Sequence, residues 1–162
     1  PKLINAVEEV NDAQKLVIAA KIVKRFGEDL TGKTFAIWGL AFKPGTDDMR
    51  EAPSIYTIKE LVKRGANIKA YDPKSIAEAQ SCYLKDIPNI TYVNSKYEAL
   101  QNADGLVLLT EWKEFRSPDF DEIKEQLKFP VIFDGRNHLD HQALYDIGFN
   151  IYPLGKPALS HL

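Results

Sequence analysis

Thr34-Phe35-Ala36-Ile37-Trp38-Gly39, then the loop to Glu51, then a helix opened by Pro53-Ser54, then Asn67-Ile68-Lys69-Ala70-Tyr71: this stretch reads as strand, crossover helix and parallel strand. The first run is short, apolar and ends in glycine, as a buried strand does. The helix places Ile55, Ile58, Leu61 and Val62 on one face and stops at Gly65. The Asp72-Pro73 pair closes the second strand with a turn.

The same alternation continues outward from this unit. A helix is expected from about Ser75 to Cys82, a strand at Ile90 to Val93 and a short helix at Lys96 to Leu100. Gly105 to Leu109, Val131 to Asp134 and Phe149 to Tyr152 read as strands, with helices at Asp119 to Leu127 and His138 to Ile147. Strands alternating with helices predict right-handed crossovers and an α/β, Rossmann-like, doubly wound, mostly parallel sheet. The runs 34–38, 67–71, 105–109 and 131–134 lack polar alternation, which predicts strands covered on both faces. Before the sheet, Leu3, Val7, Val10, Gln14, Val17, Ala20 and Ile22 to Phe26 keep helical spacing up to Gly27. A helix over 3–26 would be about 36 Å long, long enough to predict that part of it packs outside the domain. The organisation is thus a helical segment over 1–28, an α/β domain over 29–155 and a loosely ordered tail over 156–162.

The chain has 162 residues, a net charge of -2, 44% hydrophobic residues and one cysteine. This length supports a self-sufficient core. The charge argues against an electrostatically driven nucleic-acid or membrane binder. Cys82 alone excludes an intrachain disulfide and a Cys-rich zinc site. No run is long enough for a membrane helix, and Pro1 to Asn5 shows no signal-peptide pattern. A cytoplasmic domain is expected, and the absence of an initiator Met leads us to expect a fragment or processed chain.

Ligands of open α/β sheets bind outside the carboxyl ends of the strands. The loop Gly39 to Glu51 is long for that position. It is not a dinucleotide fingerprint, because Ala41 and Pro44 stand where glycines are needed, and Thr46 after Gly45 excludes a P-loop. Lys43 can meet a phosphate or stay solvated, and Phe42 can support a ring or backbone contact. Arg50 can pair with Asp47, Asp48 or Glu51. Arg136, in Asp134-Gly135-Arg136-Asn137, offers a fork to phosphate or anchors the next helix. Asp72 sits where dinucleotide folds place a ribose-binding acid, although the Asp-Pro turn reading is favoured. Trp112 is a pocket wall or, preferably, sheet cover. His138 and His141 lack a carboxylate cluster and read as surface histidines rather than metal ligands. Cys82 reads as an inert thiol.

Residues Gly39-Leu40-Ala41-Phe42-Lys43-Pro44-Gly45-Thr46-Asp47-Asp48-Met49-Arg50-Glu51-Ala52-Pro53-Ser54 closely resemble the signature of the C-terminal UDP-binding domain of the UDP-glucose 6-dehydrogenase (UDP-glucose/GDP-mannose dehydrogenase) family. Val7 to Lys15 resembles the end of that family's central, dimer-forming helix. Tyr71-Asp72-Pro73, Leu109-Thr110-Glu111-Trp112 and Phe133 to Asn137 follow in the family's order. The resemblance implies that Phe42, Lys43 and Arg136 contact a UDP-sugar, and that Arg50 lies near NAD. It implies a homodimer through the N-terminal helix and a place in polysaccharide biosynthesis. The family's enzyme oxidises the sugar C6 alcohol to the acid in two NAD-dependent steps, through a thioester on a cysteine. The NAD-binding domain, that cysteine and the catalytic Lys and Asn have no counterpart here, so the chain alone is expected to be inactive. Alternatives are a GDP-mannose or UDP-N-acetylmannosamine dehydrogenase, a stand-alone nucleotide-binding module, or a purely structural dimerisation domain.

Overall fold

The computed structural model describes residues 15–162. Six strands form one sheet: β1 (Thr34–Trp38), β2 (Asn67–Tyr71), β3 (Ile90–Tyr92), β4 (Gly105–Leu108), β5 (Val131–Asp134) and β6 (Asn150–Pro153). Their order is β3-β2-β1-β4-β5-β6, and every pairing is parallel. The expected sheet is therefore present, and wholly parallel. The order reverses between β1 and β4, so the loops leaving these two strands diverge and open a crevice.

Helix α1 (Val17–Phe26) precedes the sheet. It buries Ile18, Ala19 and Ile22 and ends at Gly27, whose N–H bonds the Val23 carbonyl at 2.7 Å. This is the last part of the helix expected over 3–26. Its earlier face of Leu3, Val7 and Val10 lies outside the described residues. Helix α2 (Pro53–Lys63) starts with Pro at its first position, where a missing N–H costs nothing, and buries Ile55, Ile58 and Leu61. The segment expected as a helix at 75–82 is one turn, α3 (Ile76–Glu78), widening into a π turn at Ala79–Tyr83. The predicted helix at 96–100 is a 3₁₀ turn, Glu98–Leu100. Helices α4 (Phe120–Gln126) and α5 (His141–Asp146) are each capped by an aspartate: Asp119 accepts from Glu122 N, and Asp140 from Ala143 N, both at 3.1 Å.

The two faces of the sheet bury separate clusters, as strand alternation requires. Phe35 and Ile37 of β1 join Ile22, Ile58, Val107 and Phe133. Ala36 and Trp38 point the other way, to Leu106, Leu108, Phe115, Ile132 and Phe149. Trp38 is fully buried, stacks on Phe115 at 5.0 Å and donates its indole N–H to the Lys96 carbonyl at 2.8 Å. β1, β4 and β5 are covered on both faces as expected. β2 is not. Ile68 and Ala70 are buried, whereas Asn67, Lys69 and Tyr71 are not, and Lys69 runs out to the Gln101 carbonyl at 2.7 Å. The short Glu98–Leu100 turn packs over that side and Phe115 meets the Tyr71 ring, which leaves the strand a partly open, polar face around Lys69.

Two further expectations are corrected. α5 does not start at His138. Asn137 takes a φ of +50°, and the Leu139 N–H turns back to Asp134 at 2.9 Å, so these residues belong to the loop. The tail is not loose. Leu159 forms an antiparallel bridge with Ile151, with mutual bonds of 2.8 and 2.9 Å, and covers the free edge of β6. His161 stacks on Tyr145 at 4.0 Å, its N–H bonds Asn150 at 2.7 Å, and Lys21 caps the Pro153 and Lys156 carbonyls.

Gly39 holds a φ of +101°, and a Cβ there would lie 2.5 Å from the backbone N of Thr110. Gly45, at +88°, faces open space. Gly39→Ala should therefore lose about 3 kcal/mol in urea unfolding, from left-handed strain plus a backbone clash, and Gly45→Ala only about 1 kcal/mol. Equal costs would contradict the packing described. At the end of β2, burial and a hydrogen bond with Glu114 push the Tyr71 hydroxyl from 10.0 to about 12. Its neutral form contributes stability that is complete below pH 10 and lost as pH rises through about 12. In an absorbance titration at high pH, Tyr71→Phe should remove the latest tyrosinate step and leave the earlier ones.

Candidate functional site

The loop after β1 has firm feet and an exposed tip. The Gly39 N–H bonds the Tyr71 carbonyl at 2.9 Å. The N–H groups of Leu40 and Ala41 both donate to Asp72 Oδ2, at 2.8 and 3.1 Å. The Leu40 carbonyl accepts from Ser54 Oγ, and the Ala41 carbonyl from Thr110 Oγ1, each at 2.6 Å. At the far foot Met49 and Ala52 are fully buried, and the Ala52 N–H bonds the Met49 carbonyl at 3.0 Å. The Phe42 N–H closes the base of the tip on the Asp48 carbonyl at 2.9 Å. Phe42 is 45% exposed, and Lys43, Pro44 and Gly45 are exposed with it. An apolar ring and an ammonium thus stand together at the mouth of the crevice.

Arg50 lies on the outer limb, 79% exposed, and grips the Asp48 carboxylate through Nε and Nη2 at 2.9–3.2 Å. That grip holds the Asp48 carboxyl below its ordinary range. Of the three partners open to Arg50 in the sequence, Asp48 is the one used. Glu51 pairs instead with Lys15, whose ammonium also sits 4.4 Å over the Tyr56 ring. The hydrogen bond from Lys15 lowers the Glu51 carboxyl and raises the ammonium. This contact fastens the start of the helical segment to the loop.

Asp72 is 2% exposed and serves both loops of the crevice. Its Oδ1 accepts from Lys74 N and Ser75 N at 2.8 and 2.9 Å, so the favoured turn reading holds. Its Oδ2 accepts from Trp112 Nε1 at 3.1 Å as well as from Leu40 and Ala41. Both carboxylate oxygens are thereby occupied, and so are the loop amides that would otherwise face a pyrophosphate. With Ala41 and Pro44 in place of fingerprint glycines, this crevice does not fit a dinucleotide. Trp112 is half-buried against the second core, which matches sheet cover, and it also ties the loop after β4 to Asp72.

Arg136 leaves β5 beside that loop. Its Nε and Nη2 both meet Glu111 Oε2, at 2.8 and 2.6 Å, and 30% of its side chain is exposed. It is thus neither a free cation nor a helix anchor, but a guanidinium held in place by a neighbouring carboxylate with one edge open. Below it, fully buried Asp134 accepts from Arg136 N at 3.1 Å, Leu139 N at 2.9 Å and His141 Nε2 at 2.8 Å. His138 Nε2 lies 3.0 Å from the Trp112 carbonyl. The histidines read as surface residues are thus partly buried loop fasteners, His141 with only 12% of its side chain exposed. Cys82 is exposed on the π turn.

The structure brings Phe42, Lys43 and Arg136 to the carboxyl end of the sheet and leaves Arg50 on the loop's outer side. Sequence reasoning missed Glu111 as the partner of Arg136 and Asp72 as a shared acceptor. The signal for Asp72 was its place at the end of β2. Glu111 carried none, since its partner is 25 residues away.

Comparison with known proteins agrees with this geometry. Residues 36–141 match the UDP-glucose/GDP-mannose dehydrogenase family, UDP binding domain. The chain is 38% identical to UDP-glucose 6-dehydrogenase of Pseudomonas aeruginosa, over 99% of this chain and 36% of that protein. It is 37% identical to UDP-glucose 6-dehydrogenase TuaD of Bacillus subtilis, over 98% of this chain and 33% of that protein. A solved UDP-glucose dehydrogenase from Pyrobaculum islandicum superposes with a TM-score of 0.69 at 30% identity, over 83% of this chain and 28% of that one. The chain spans about a third of the length of the curated relatives it matches. With the match covering well over half of its residues, the chain belongs to the UDP-glucose/GDP-mannose dehydrogenase family.

Proposed function

We propose that this chain is the part of an NAD-dependent UDP-glucose 6-dehydrogenase that binds the UDP portion of the substrate. The observation that carries the reading is the pair of cationic side chains, Lys43 and Arg136, on loops from β1 and β5 at the carboxyl end of the sheet. Lys43 supplies an exposed ammonium for the diphosphate, and Phe42 a ring beside it. Arg136, steadied by Glu111, offers its open edge to the same substrate. Arg50 faces outward, toward cofactor held by the rest of the enzyme.

The chemical role of these residues is binding and orientation. Interactions with the nucleotide, remote from the reacting sugar, position that sugar and so contribute to turnover in the whole enzyme. The oxidation needs a thiol nucleophile, and Cys82 stands exposed on the π turn rather than on the loops that carry Lys43 and Arg136. NAD does not fit the crevice of this domain, so the nicotinamide chemistry belongs to another region of the enzyme. The reading extends to a cytoplasmic homodimer joined through the helical segment over 1–28, with the α/β domain over 29–155 and the tail over 156–162.

Calorimetry of the chain with UDP checks this directly. Saturable binding is expected, weakened about tenfold or more by Lys43→Ala, since a hydrogen bond to a charged group contributes about 1.5–3 kcal/mol. Arg136→Ala should weaken it similarly, and substitution of the exposed Lys59 on α2 should not. No heat at millimolar UDP, or equal effects of all three variants, would refute the assignment. GDP binding as tightly as UDP would favour the GDP-mannose alternative.

A further inference from the structure

Lys43 and Arg136 belong to loops from different strands, and the sheet fixes each loop only as far as its strand end. Beyond that point something else must hold the two cations at one separation if they are to grip one ligand. A single atom does so on the β1 side: Asp72 Oδ2 accepts from Leu40 N and Ala41 N of the loop after β1 and from Trp112 Nε1 of the loop after β4. The Asp72 carboxylate is itself fixed by Lys74 N and Ser75 N on Oδ1. From Trp112 the path continues in two ways. Its carbonyl meets His138 Nε2 of the loop after β5, and its neighbour Glu111 holds Arg136. Hydrogen bonds between named atoms, joined by the single peptide bond between Glu111 and Trp112, thus lead from the foot of the Phe42–Lys43 tip to the Arg136 guanidinium.

We propose that Asp72 and Trp112 are positioning residues of the nucleotide site: together they lock the Lys43 tip and Arg136 into one preorganised pair of cations. The proposal rests on the UDP-binding reading of that site. Neither residue needs to touch the ligand. Asp72, at the place where dinucleotide folds offer an acid to a ribose, is 2% exposed and has both oxygens occupied. Its function is turned inward. Fixing the cations before binding removes an ordering cost that a floppy loop would impose on the complex.

Two conservative variants separate this role from mere stability. Trp112→Phe keeps an aromatic ring against the core and removes the Nε1 donor together with part of the indole's contact area. Asp72→Asn keeps the shape but places an amide NH₂ against backbone N–H or indole donors. In ¹⁵N-resolved NMR spectra of the free chain, Trp112→Phe should shift the amides of Leu40 to Lys43 and the Arg136 Nε signal. Shifts confined to residues 110–116 would overturn the link, whatever happens with UDP.

In calorimetry both variants should weaken UDP about tenfold, the loss expected for a charged hydrogen bond. The decisive readout is a double-mutant cycle. Lys43→Ala should cost less in the Trp112→Phe background than in the wild type, by about threefold or more, because the ammonium is no longer held on target. An identical cost in both backgrounds would show that Trp112 only stabilises the fold, and the proposal would fail. A chain that shows the amide response yet does not bind UDP would overturn the nucleotide reading, and with it this assignment, while leaving the mechanical link in place.

Discussion

The buried carboxylate of Asp72 is the constraint on which the carboxyl end of this sheet depends. An ion taken out of water costs several kcal/mol unless its lone pairs are satisfied. Five N–H groups satisfy Asp72, four from the backbone and one from Trp112. None of these donors has a strand partner to turn to, because all lie beyond the ends of β1, β2 and β4. The carboxylate and the loops therefore need each other. Charge-assisted bonds are the stronger kind, and here they order segments that parallel pairing cannot reach.

Asp134 repeats the arrangement at the end of β5, where it gathers Arg136 N, Leu139 N and His141. The sheet thus carries one buried strand-end aspartate on each side of its reversal point. Each organises the loop that presents a cation. Lys43 stands exposed and Arg136 part-exposed, on loops organised by carboxylates that are enclosed. The positive charge is displayed to solvent, while the negative charge beneath it is consumed by backbone dipoles. Arg136 differs from Lys43 in that a second carboxylate, Glu111, holds one edge of its guanidinium.

The parts legible in the sequence are those governed by local pattern. β1, β4 and β5 are continuous apolar runs, and the Pro53 start of α2 follows from one residue's geometry. The long loop with its Pro44-Gly45 tip announced itself by length, and it does carry Phe42 and Lys43 outward. What was not legible depends on distant partners. The β2 surface around Lys69 is partly open because a short 3₁₀ turn, rather than a full helix, packs beside it. The tail is ordered by a two-bond bridge between Leu159 and Ile151, which leaves no periodicity to read. His141 is enclosed because the loop between it and Asp134 folds back to bring the two together, along a path that no propensity fixes. The bond between Arg136 and Glu111 joins two strand ends and has no signature at either.

The contrast between Gly39 and Gly45 has a consequence for how such a loop can change over time. At Gly39 the Thr110 backbone stands within 2.5 Å of where a side chain would begin, so positions 39 and 110 constrain each other. At Gly45 there is nothing within 4 Å. The loop is therefore divided into a foot that the fold dictates and a tip that it does not. What limits residues 42–45 is thus the ligand and the backbone angle at Gly45 rather than packing against the sheet, so a change at Lys43 can alter binding while the scaffold stays fixed.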